Sequence, residues 1–158
     1  YLGIAQWKAA LSGNPHLKAI FPVVSGGDDY FDRYYSRGGA LKLGHRLSWM
    51  ASNVRRNGFT AAPFGSYVRT LPLAAADEAA TGQRIPFFQE VIRHPDYDDY
   101  WRELSTLERI EKVRTPVYAA GGWYDNYVES DLEMFSALRR LGRTAHLIVG
   151  PWAHSMSA

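Results

Sequence analysis

The 158-residue chain contains no cysteine. Disulfide bridges, a thiol nucleophile and thiolate metal sites are thereby excluded, although the absence identifies no compartment. No apolar run reaches transmembrane length. Net charge is also low: 18 Lys and Arg against 16 Asp and Glu leave +2. The basic residues include isolated pairs, Arg55 with Arg56 and Arg139 with Arg140, not the stripe that marks a nucleic-acid partner. There is no internal repeat and no low-complexity stretch, and whether the intact protein has a signal peptide stays open. Neither nucleic acid nor a membrane is an expected partner. The compartment stays open between cytoplasm, periplasm and exterior, and so does a homo-oligomer of the intact protein.

What is present suits a soluble globular domain: 46% hydrophobic and 22% charged residues. Aromatic residues reach 14%, with 10 Tyr and 5 Trp. Aromatic-rich loops often line pockets for apolar ligands, but a Tyr-rich surface would give the same composition. The first residue is Tyr1, not methionine. Leu2, Ile4, Ala5, Trp7, Ala9, Ala10 and Leu11 leave few polar positions, which suits a helix buried on most sides. Gly13 and Pro15 end it. Domains rarely open inside their own core, so the expectation is a portion of a larger catalytic domain.

Residues 17–24 (LKAIFPVV) form a short apolar run with β-branched members, as in a buried parallel strand, and Pro22 argues for the end of that strand. From Ser25 to about Lys112 no comparable strand follows. A Gly-Gly-Asp-Asp turn leads to a predicted helix over 39–56 and shorter helical pieces over 73–80, 87–93 and 107–112, punctuated by prolines at 63, 72, 86 and 95. This reads as a helical cap over 27–112 inserted into a core formed by 1–26 and 113–158. The strand–helix pattern resumes with a strand over 116–121. Val128, Leu132, Phe135, Leu138 and Leu141 then recur at helical spacing, with Gly142 as the stop. A second strand covers 145–149, broken by Gly150 and Pro151. The order is α/β. Three strands are few for such a sheet, so the fold expected is a partial α/β-hydrolase: a parallel sheet with flanking helices and a helical cap.

In open α/β sheets the functional groups stand beyond the carboxyl ends of the strands. Asp125 in GGWYDNY follows one strand and His154 in GPWAHS follows the next. Acid then histidine is the chain order of the α/β-hydrolase triad. The chemistry needs those types: histidine takes and returns the serine proton, and the carboxylate fixes its tautomer. Singly, each has a plainer reading, Asp125 as a helix cap and His154 as a solvated loop residue. Asp131 and Glu129 are the next acids to consider. Asp28 and Asp29 read as a solvated turn before an ammonium site. His94 with Asp96, Asp98 and Asp99 lacks metal-ligand spacing and reads as capping and surface pairing. No metal or organic cofactor is implied.

YLGIAQWKAA at the start resembles the segment after the catalytic serine in the cocaine esterase family, relatives of X-Pro dipeptidyl peptidases, α-amino-acid ester hydrolases and glutaryl-cephalosporin acylases. GGWYD and GPWAH resemble that family's acid and histidine motifs. GGALKL with Trp49, and RHPDYDDYW at 93–101, resemble its cap. The resemblance implies a serine just before Tyr1, the Tyr1 N–H as one oxyanion donor, and Asp125 and His154 as acid and base. The chain alone would then lack the nucleophile, a second oxyanion tyrosine and the family's C-terminal β domain. Tyr34, Trp49 and Tyr127 fall where the family places aromatics around the acyl pocket, and Trp152 beside the histidine is taken as another substrate-binding residue. Tyr34 stands for a tryptophan and Tyr127 for a phenylalanine of cocaine esterase; both add a hydroxyl, so a more polar pocket is expected. The activity implied is hydrolysis of esters or amides of small acyl groups. X-Pro dipeptide release, β-lactam or glutaryl acylase chemistry, or a non-catalytic binding protein are the alternatives.

Overall fold

The computed structural model describes residues 2–55 and 62–155. The chain divides into two compact units, Tyr1–Asp32 with Arg102–Ala158, and Arg33–Trp101. The second unit lies inside the range expected for the cap, and residues 27–32 and 102–112 go with the first. Among the described residues no helix is long and apolar enough to cross a membrane.

The first unit holds helix α1 (Leu2–Leu11), strand β1 (Val117–Gly122), helix α7 (Val128–Arg140) and strand β2 (Ala145–Gly150). The strands are parallel, with Val117 opposite Ala145 and Gly122 opposite Gly150. Residues 20–24 pair with the other edge of β1, also in parallel, through bridges at Ile20–Val117 and Val23–Ala120. Pro22 stands in the middle of that pairing, not at its end. Ile20 and Val24 donate to the Pro116 and Ala120 carbonyls, and Pro22 accepts from Ala120 N–H. The position that would donate to the Tyr118 carbonyl is proline, which has no N–H. The ladder is interrupted there, so the segment forms bridges and no continuous strand.

One face of this sheet is the core: Ile20, Val117, Ala119 and Ala145 pack with Trp7 and Ala10 of α1, Val113, and Met134 and Leu138 of α7. Helix α1 is buried only along Gly3, Trp7 and Ala10, while Leu2 is 83% exposed. The burial on most sides expected of it is not observed: Leu11 also packs against the core, but Leu2, Ala5 and Ala9 are exposed. Helix α7 ends as Gly142 predicts. Gly142 has φ 68°, its N–H bonds to the Arg139 carbonyl, and Arg143 N–H bonds to the Leu138 carbonyl, the paired closure that favours glycine.

The second unit is built from a π-helical turn (Tyr30–Tyr34) that enters it, α2 (Leu43–Arg55), α3 (Phe64–Tyr67), α4 (Ala76–Thr81), α5 (Pro86–Arg93) and the start of α6 (Asp99–Leu104). Its fixed points are aromatic and polar. Trp101 is 1% exposed and donates to the His94 carbonyl at 2.8 Å, and Tyr35 donates to the Val91 carbonyl at 2.9 Å. Fully buried Asp77 accepts the Ile85 N–H at 2.7 Å and Gln89 Nε2 at 3.0 Å, so the buried charge is hydrogen-bonded. His94 meets Asp98 at 2.5 Å and stacks on Tyr100. The Asp98 carboxyl is held below its ordinary range, first by the His94 hydrogen bond.

Candidate active site

Asp125 and His154 each follow the carboxyl end of a strand, and β1 and β2 are neighbours in register. Their loops therefore leave the sheet side by side. Trp123 N–H bonds to the Gly150 carbonyl at 2.9 Å and Tyr124 N–H to the Trp152 carbonyl at 3.0 Å, extending the pairing beyond the strand ends. The motif glycines make this approach feasible. A Cβ on Gly122 would stand 2.2 Å from the Trp152 oxygen, and one on Gly150 would stand 2.5 Å from the Trp152 ring.

The result is a close pair. His154 Nδ1 lies 2.7 Å from Asp125 Oδ2. The Asp125 side chain is fully buried and that of His154 is 64% exposed. The other Asp125 oxygen accepts Tyr127 N–H at 2.7 Å, so both carboxylate oxygens have donors, as a buried charge requires. The Tyr127 ring packs against the imidazole at 5.3 Å and 66°. A histidine whose Nδ1 is held by a carboxylate presents its Nε2 for proton transfer.

The other expected site residues fall as follows. Tyr127 is buried beside His154. Trp152 is partly buried, with its ring across Gly150. Tyr34 and Trp49 belong to the second unit. Tyr34 is 5% exposed and packs on Phe87 and Trp101; Trp49 is 38% exposed on α2. Tyr1 lies outside the described residues. Asp28 is not a solvated turn residue: it is buried, accepting from Phe31 N–H at 2.9 Å and from Ser105 Oγ at 3.2 Å. Asp29 pairs with Lys8 at 3.5 Å.

Sequence reasoning passed over the inner face of α7. Of the residues at helical spacing, Val128, Leu132, Phe135, Leu138 and Leu141, Leu138 is buried in the core and Phe135 packs against it, while Leu132 and Leu141 are 36% and 43% exposed. The buried residues also include Ser130, Asp131, Met134 and Ala137, which the apolar spacing did not mark. Asp131 Oδ1 accepts Gly26 N–H at 3.2 Å and Ser130 Oγ accepts Gly27 N–H at 2.7 Å. These partners are more than 100 residues away in sequence, and nothing local marks them.

Comparisons with known proteins cover nearly the whole chain. A family model described as X-Pro dipeptidyl-peptidase (S15 family) matches residues 1–156. The cocaine esterase of Rhodococcus sp. (strain MB1 Bresler) is 36% identical over 174 aligned positions, which cover 98% of this chain and 30% of that protein. Among solved structures, an aminopeptidase from the marine sediment archaeon Thaumarchaeota archaeon superposes with a TM-score of 0.78 at 22% identity. An α-amino acid ester hydrolase superposes with a TM-score of 0.75 at 19% identity. Each covers 97% of this chain, and the chain spans 27% of each of them. These likenesses show the fold, a partial α/β-hydrolase.

Proposed function

This chain belongs to the X-Pro dipeptidyl-peptidase (S15) family, and on that premise we propose that it carries the acid and base of a serine hydrolase acting on esters or amides of small acyl groups. The observation that carries the reading is the 2.7 Å contact between Asp125 and His154 at the ends of neighbouring parallel strands. In the proposed reaction the His154 Nε2 accepts the proton of a serine hydroxyl as that oxygen attacks the acyl carbon. The same nitrogen then returns the proton to the leaving alcohol or amine, and water releases the acyl group by the same path. Asp125 holds the tautomer and stabilises the imidazolium. The serine is assigned to the position preceding Tyr1, with the Tyr1 N–H as an oxyanion donor, on the likeness of residues 1–10 to a post-serine segment.

Two observations favour a simple acyl ester over a substrate with a free amine. The identity to a cocaine esterase is the first. The second is that Asp28 and Asp29, the acids that might have met an ammonium, are engaged within the fold by Phe31, Ser105 and Lys8. The test uses the intact protein carrying this chain, with p-nitrophenyl butyrate and Ala-Pro-p-nitroanilide. Ester turnover is expected to exceed anilide turnover. Asp125→Asn should lower kcat by about 10⁴ through the wrong tautomer. Full activity in Asp125→Asn would refute the acid assignment. Faster anilide cleavage would refute the ester reading alone. No turnover of either would favour a binding protein.

A further inference from the structure

We infer that Asp131, with Ser130, is a positioning residue for the acid–base pair: the two side chains tie the loop bearing Asp125 to the turn at residues 25–27, and through it to α1. The inference rests on the roles given to Asp125 and His154 above.

Polar residues in the first turn of a surface helix ordinarily face water, where an acid also meets the favourable end of the helix dipole. Ser130 and Asp131 instead face inward, 3% and 4% exposed. A buried carboxylate is costly and contributes little stability over an apolar residue, so its place calls for another account. The contacts supply one. Asp131 and Ser130 take the N–H groups of Gly26 and Gly27. A Cβ on Gly26, which has φ 61°, would stand 2.2 Å from the Asp32 carboxylate, and one on Gly27 would stand 2.3 Å from the Met134 side chain.

The same turn is fixed on its other side to α1. Ser25 Oγ accepts from Trp7 Nε1 at 3.1 Å, and a Cβ on Gly3 would stand 2.4 Å from the Ser25 Cβ. Val24, just before, has φ 41°, a region that β-branched residues rarely enter. Its N–H is held by the Ala120 carbonyl at 2.8 Å. Strained backbone of this kind persists where the surroundings over-determine it.

From Asp131 the contacts run to the reacting groups. Asp131 N–H bonds to the Tyr127 carbonyl at 2.9 Å, and Asp125 accepts from both Tyr127 N–H and His154 Nδ1. Gly121 lets Asp131 sit against the end of β1, since a Cβ there would stand 2.9 Å from Asp131 Oδ2. The contacts from α1 through residues 25–27 to α7 therefore hold the loop that bears Asp125.

The test measures ester hydrolysis by the intact protein, with each variant shown to be folded at the assay temperature. Asp131→Ala should lower kcat by roughly 10- to 100-fold, the scale of a misplacement of about 1 Å, with KM within about twofold. Asp131→Asn keeps an oxygen for Gly26 N–H and should recover kcat to within roughly fivefold of the wild type. Ser130→Ala should give a smaller loss in kcat alone. Wild-type kcat in Asp131→Ala and Ser130→Ala, beside an inactive Asp125→Asn, overturns the positioning role and leaves the acid assignment standing. Equal loss in the Ala and Asn variants, or a loss confined to KM, also overturns it. If Asp131→Ala does not fold, Asp131→Asn and Ser130→Ala decide. An inactive Asp131→Asn beside an active Asp125→Asn would make Asp131 itself the acid and end both readings.

Discussion

Adding one methyl group at Gly122 should drive apart the loops that bear Asp125 and His154. The added Cβ would stand 2.2 Å from the Trp152 carbonyl oxygen and 2.7 Å from its carbon, where ordinary contact begins at 3.4 Å. The obstacle is backbone, so no rotamer change relieves it, and one strand end must move by about 1 Å. That movement breaks the 3.0 Å bond from Tyr124 N–H to Trp152 and stretches the 2.7 Å bond from His154 Nδ1 to Asp125. Misplacing catalytic groups by about 1 Å costs on the order of 10² in rate, while overpacking costs about 1–3 kcal/mol in stability. In the intact protein carrying this chain, Gly122→Ala should therefore lower kcat for p-nitrophenyl butyrate by about 10²-fold, with a loss of about 1–3 kcal/mol in urea unfolding. Gly65→Ala is the control: a Cβ there meets nothing within 4 Å, and alanine should leave turnover unchanged. A folded Gly122→Ala protein with wild-type kcat would refute the claim that the spacing of the two strand ends sets the geometry of the pair.

Other outcomes follow from the same structure. Gly142→Ala places a Cβ at φ 68° and should cost about 1–2 kcal/mol in urea unfolding, with kcat unaltered. Trp7→Ala empties a site that is 2% exposed in the core and should cost about 3–5 kcal/mol by the same measurement. Asp98 has a lowered pKa in the folded protein, so its contribution is present above the ordinary carboxylate range and fades as pH falls through the lowered value. Asp98→Asn should accordingly flatten the dependence of thermal stability on pH below about 4; an unchanged acid limb would contradict this.

Much of the local structure follows from local sequence. The strands at β1 and β2 are apolar runs bounded by glycine and proline, and α7 runs between a strand-end acid and the glycine that closes it. These are consequences of period and backbone freedom, which neighbouring residues decide. The chain order of an acid and a histidine beyond successive strands is equally local, and it already pointed to the pair. The cap range was a different matter: a lack of strands says where an insertion lies but not where packing divides the chain, and residues 27–32 and 102–112 group with the first unit.

The α/β order, the helix stop at Gly142 and the two loops that hold Asp125 and His154 are therefore legible in the local sequence. Tertiary structure decided which faces turn inward and which groups meet. Helix α7 presents Ser130 and Asp131 to the interior because amide groups at Gly26 and Gly27, more than 100 residues earlier, need acceptors there. Pro22 sits within a parallel pairing because its carbonyl still accepts, although its nitrogen cannot donate. At Gly122 the Trp152 backbone of the neighbouring loop occupies the space of a side chain, and at Gly150 the ring of Trp152, from the loop that follows it, does so. Periodicity records how often a residue type returns; burial depends on what the rest of the chain brings against it.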